Sequence, residues 1–105
     1  MDSTIVGHKV KIERDGDYVT ANPKNLDVRR GDTLHIRSTH GKFRVKFVPW
    51  PFAEKEEVDG VEGTDKVMTF ERIGDFTFLC YLTPPGETRA LSYGKGGGGN
   101  GNVKP

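Results

Sequence analysis

An all-β sandwich or small barrel is the fold class predicted by this 105-residue sequence, and three observations carry the prediction. Short runs of alternating apolar and polar residues recur, turn signals fall about eight to twelve residues apart, and no segment has the 3.6-residue apolar period of a helix. The length suits one domain. Only 33% of the residues are apolar and mean hydropathy is −0.61, so the core must be small and rich in aromatic and branched side chains.

The longest alternating run is Gly74-Asp75-Phe76-Thr77-Phe78-Leu79-Cys80-Tyr81, which carries the single cysteine of the chain to its far end. Strand side chains alternate, so Phe76, Phe78 and Cys80 share one face and Thr77, Leu79 and Tyr81 the other. The turn pair Gly74-Asp75 opens this strand, and Thr83-Pro84-Pro85-Gly86 closes it because proline cannot donate to a ladder. Upstream, His8, Val10 and Ile12 alternate with Lys9, Lys11 and Glu13, and Asp15-Gly16-Asp17 signals a tight turn. Tyr18-Val19-Thr20 resumes the extended chain, Asn22-Pro23-Lys24-Asn25 interrupts it, and Leu26 and Val28 alternate with charged neighbours. Arg30-Gly31-Asp32 turns into a strand with Leu34 and Ile36 inward and His35 outward.

Phe43-Arg44-Val45-Lys46-Phe47 alternates almost ideally, and Val48-Pro49-Trp50-Pro51-Phe52 follows as an aromatic corner in which the prolines forbid regular pairing. Residues 54–65 form an acidic, glycine-punctuated excursion that is expected to be exposed, with at most one helical turn. Val67 to Phe70 reads as a short strand, and Arg89 to Tyr93 could supply a last one. Residues 94–105 bury nothing in this reading and are expected to be a disordered glycine-rich tail, which leaves the domain at residues 1–93. The total is about seven or eight strands, stabilised mainly by Phe43, Phe47, Phe70, Phe76 and Phe78.

Composition excludes several function classes. A net charge of +1 gives no global attraction to nucleic acid or membrane, and no apolar run approaches the roughly 20 residues of a membrane helix. The N-terminus lacks the basic and apolar regions of a signal peptide. The expected location is therefore cytoplasmic, or periplasmic or extracellular if a leader has been removed. One cysteine permits no internal disulfide. There is no nucleophile elbow, HExxH motif or phosphate loop, so no enzymatic activity is expected.

Val10-Lys11-Ile12, Pro23, the run from Leu26 to Ile36 and Phe43 to Phe47, followed by Gly74, Phe76, Phe78 and Cys80, resemble the cupredoxins, the plastocyanin- and azurin-like blue-copper proteins, over residues 9 to 93. The resemblance implies a Greek-key β-sandwich and a type 1 copper site of two imidazoles, a thiolate and a weak axial methionine. Carried over position by position, the first imidazole falls at Phe43 and the second near Thr83. The axial ligand falls near Thr88 and Arg89, and Cys80 alone is retained. The resemblance thus implies a degenerate copper site, with Phe43, Cys80 and Leu82 as an apolar plug.

The expected function is accordingly a non-enzymatic binding or structural module without cofactor, whose partner is another protein or a small ligand. The residues expected to meet that partner are Trp50, Phe52, His40, Lys42, Arg44 and Lys46, together with Pro84 and Pro85. The alternative is copper binding, for electron transfer or metal delivery, at an atypical site of Cys80 and His40. A weaker alternative is an anion or nucleic-acid binder using Lys42, Arg44 and Lys46, which share one strand face. The alternation that turns Phe43, Val45 and Phe47 inward denies nucleic-acid bases the exposed aromatics they would stack on.

Overall fold

The computed structural model describes residues 5–16, 18–39, 41–55, 57–83, 86 and 98–105. The chain folds into two β-sheets packed face to face, with no helix among the described residues. The strands are β1 (Gly7–Asp15), β2 (Tyr18–Asn22), β3 (Asn25–Arg29), β4 (Thr33–Ser38), β5 (Lys42–Val48), β6 (Val58–Gly60), β7 (Lys66–Thr69), β8 (Gly74–Thr83) and β9 (Gly98–Lys104). One sheet has the order β2-β1-β4-β7 and the other β3-β9-β8-β5-β6. Two neighbouring pairs, β1 with β4 and β3 with β9, run parallel, and the rest are antiparallel. The all-β sandwich expected from the sequence is therefore observed, with mixed rather than purely antiparallel sheets.

The alternating residues behave as their period requires. β5 buries Phe43, Val45 and Phe47 and exposes Lys42, Arg44, Lys46 and Val48. β8 buries Phe76, Phe78, Cys80 and Leu82. Opposite them, Val10, Ile12, Leu34, Ile36 and Met68 come from the other sheet. All five phenylalanines expected to dominate the core are buried, each contributing on the order of 1.5–3 kcal/mol. Phe52 joins them at one end, with its ring centroid 4.7 Å from that of Phe47 and 5.0 Å from that of Phe70.

Two expectations are corrected. The excursion is not wholly exposed, because Val58-Asp59-Gly60 forms an edge strand on β5 and Val58 is buried. The larger correction concerns the tail: residues 98–104 are not disordered but form β9, which joins β3 to β8 inside the five-stranded sheet. Composition misleads here because the burial belongs to the neighbours. Gly99 and Gly101 face inward opposite Phe78 and Phe76, whose rings occupy the space a side chain would take. A Cβ on Gly101 would stand 2.7 Å from the Leu26 carbonyl oxygen and would overlap the Phe76 ring. The expected strand at Arg89 to Tyr93 lies outside the described residues.

The end of the sandwich below the phenylalanines is tied by Asp32, a buried carboxylate in the turn between β3 and β4. Its oxygens accept the Val6 and Arg29 backbone N–H groups at 3.1 and 3.0 Å and pair with His8 Nε2 at 2.8 Å. Burial alone would raise its pKa, but the hydrogen bonds from His8, Arg29 and Val6 together outweigh that and hold it below 3.8.

Two outcomes follow. Gly101→Ala should cost about 1–3 kcal/mol in urea unfolding, as overpacking does, although it adds a single methyl group. Asp32→Asn should cost about 1–3 kcal/mol at neutral pH. Because the folded pKa of Asp32 is lowered, its contribution is complete above the unfolded value near 3.8 and fades as pH falls through the folded one. The gap between wild type and variant, read as urea midpoint against pH, should therefore close in acid.

Candidate functional site

The region to which the sequence directs attention lies at the opposite end from Asp32, around Cys80. β8 does not stop at the thiol but continues to Thr83, so Cys80 is an interior strand residue. β5 sets Val45 directly across from Cys80 and Phe43 across from Leu82, which leaves Phe43 and Cys80 as diagonal neighbours on the inner face. Cys80 is 0% exposed. Beside it, the gap bordered by Val10, Leu34, Ile36 and Val45 admits no water molecule. Desolvation by this burial pushes the thiol up to about 12, far from the thiolate that binds metals or attacks electrophiles. The Phe43 ring lies over Gly60 of β6 and closes the wall on that side.

The described residues here do not assemble a blue-copper ligand set. Among the described residues, no three of His, Cys, Asp and Glu stand together. His8 and His35 both belong to the other sheet, where His8 is held by Asp32 and His35 Nε2 lies 3.2 Å from Thr33 Oγ1. Among the described residues, those that border the gap beside the sulfur have hydrocarbon side chains. His40, Thr88 and Arg89 lie outside the described residues. The turn beside His40 is tied by the Gly41 N–H donating to Glu62 Oε1 at 3.0 Å and by the Gly63 N–H donating to the Ser38 carbonyl at 3.2 Å.

The residues expected to meet a partner are divided by the structure. Phe52 is corrected: it is 4% exposed, bridged to Phe70 and packed between Phe47 and Phe70, so it belongs to the core. Trp50 is half-buried, set edge-on against Phe47 and Phe52, and its indole N–H donates to the Glu54 carbonyl at 2.8 Å. Pro84 and Pro85 lie outside the described residues.

Lys42, Arg44 and Lys46 stand together on the outer face of β5 and line an open groove of about 570 Å3. Tyr81, Thr83, Asp59 and Val61 also line it, together with Phe43 and Gly60, and the first four were not expected there from the sequence. Arg44 Nη2 meets Glu57 Oε2 at 3.2 Å and Asp59 Oδ2 at 3.9 Å, and Lys46 Nζ lies 5.5 Å from the centre of the Tyr81 ring. A signal was available: Glu57 and Asp59 flank Val58 with the alternation of a strand, carrying the charge opposite to that of β5.

No family model and no curated protein matches the chain by sequence. Solved structures do match. Pseudoazurin from Methylobacterium extorquens aligns with a TM-score of 0.58 and 18% identity, over 93% of this chain and 75% of that one. Amicyanin from Paracoccus versutus aligns with a TM-score of 0.55 and 13% identity, over 99% and 85% of the two chains. A cysteine protease inhibitor from Entamoeba histolytica aligns with a TM-score of 0.57 and 10% identity, over 98% and 100%. The two-sheet β-sandwich is thus of the cupredoxin-like class. At these identities the likeness defines the fold and leaves the function to the residues.

A thiol reagent at neutral pH should leave native Cys80 unlabelled and should label it fully once urea unfolds the chain. Fast stoichiometric labelling of the folded protein would show that the sulfur is reachable.

Proposed function

We propose that this domain is a non-enzymatic binding module in which the region that holds copper in blue-copper sandwiches has become ordinary core. The observation that carries the proposal is the enclosure of Cys80 by Phe43, Val45 and Leu82, with the thiol fully buried and driven toward its neutral form. A thiolate ligand would have to be generated in a setting that disfavours charge, and no described imidazole lies near it. The groove on the outer β5 face and the half-buried Trp50 are the contact surfaces that remain after Phe52 is assigned to the core.

The range of similar structures supports this choice. Amicyanin is described in a Cu(I) form, while another similar structure, equal to this chain in extent, is named for inhibiting cysteine proteases. A sandwich of this size therefore carries roles other than the one most often associated with its shape. The competing role, copper held by Cys80 and His40 for electron transfer or delivery, supplies only two soft ligands where a type 1 site uses three close ones.

Copper addition separates the two. Titrating the reduced protein with Cu(II) should give no intense visible thiolate-to-copper absorption and no rise in thermal midpoint. A stoichiometric visible band that disappears in Cys80→Ala would sink the proposal in favour of the copper protein.

A further inference from the structure

Building on the binding-module role, we infer that the β5 groove takes an extended acidic peptide segment whose carboxylates alternate along its length. Lys42, Arg44 and Lys46 are successive outward residues of one strand, so their backbone anchors repeat every 6.8 Å or so. An extended peptide carries alternate side chains at the same interval, which places an acidic residue beside each cation in turn. The floor is partly apolar, with Val61 52% exposed and the Tyr81 ring alongside, and it suits the intervening side chains of such a peptide. Charge favours this occupant, since three cations line the groove and Asp59 is its single lining carboxylate.

The chain itself supplies a small version of the same contact. Glu57 and Asp59 flank Val58 with the alternation proposed for the ligand, and both carboxylates converge on Arg44. Both are well exposed, 73% and 52%, so these ion pairs are weak and can be exchanged. An incoming carboxylate would replace Glu57 with a group of the same chemistry. Lys42 has no ion-pair partner among the described residues, and Lys46 meets only the Tyr81 ring, so both remain available. The aromatic residues lining the groove are Tyr81 and the buried Phe43, so successive nucleic-acid bases find no row of exposed rings, and a peptide is the better occupant.

The test uses the whole chain and a fluorescent peptide of alternating glutamate and valine, followed by anisotropy. Binding should appear at low salt, weaken roughly tenfold between about 0.05 and 0.5 M salt, and vanish when glutamine replaces glutamate in the peptide. Lys42→Glu with Lys46→Glu should weaken binding about tenfold or more, whereas Glu57→Gln should tighten it about twofold to fivefold by releasing Arg44. No binding by the folded protein at low salt, equal binding of the glutamine peptide, tighter binding of oligothymidylate, or no gain from Glu57→Gln would each refute the inference. Such a failure leaves the binding module to another surface. Copper uptake at Cys80 would instead remove that role whether or not the peptide binds.

Discussion

The five-stranded sheet depends on a strand that brings almost no side chains to the core. β9 joins β3 to β8, and no other strand among the described residues connects them. It fits because its inward residues Gly99 and Gly101 leave room for Phe78 and Phe76, while Val103 alone adds a buried side chain from β9. Backbone hydrogen bonding and ring-over-glycine contact replace the side-chain interlock that most central strands provide. The Asn100 N–H donates to the Lys24 carbonyl at 2.9 Å, and the Arg30 N–H donates to the Lys104 carbonyl at 2.8 Å, so β9 is tied at both ends. Once this sheet is closed, β8 is central, and its inward residues are shielded by β5 and β9 on either side.

That centrality decides the chemistry available to the thiol. A cysteine at the last rung of a strand can face a loop and share its sulfur with loop ligands. Cys80 is followed by Tyr81, Leu82 and Thr83 in the same strand, and Leu82 is as buried as the sulfur. The enclosed sulfur therefore acts as a small apolar filler between Phe78 and Leu82. On β5 the residues separate sharply, hydrocarbon within and cations on the surface.

Much of this architecture was legible because period-two alternation is a local signal. β5 and β8 were readable nearly to their ends, since each apolar residue in them reports its own burial. β9 was not readable, because glycine reports nothing about what covers it, and the phenylalanines that do so are 21 and 25 residues away in sequence (Phe78 to Gly99 and Phe76 to Gly101). Phe52 was misjudged for a related reason. Flanking prolines argued against strand pairing, yet a single bridge to Phe70 is enough to seat the ring in the core. At the candidate site the inward residues Phe43 and Cys80 were legible one at a time. The groove was not, since it needs the 57–60 segment folded back against β5, and charge alternation was the only trace of that in the sequence.

The parallel pairing of β3 with β9 also orders events in time. Asp27 meets Lys104 across 77 positions, one of the longest reaches in the fold. During synthesis, β3 must wait with an unsatisfied edge until residues 98–104 have emerged. Nascent protein short of β9 would thus display two unpaired strand borders, the kind of edge on which chains aggregate.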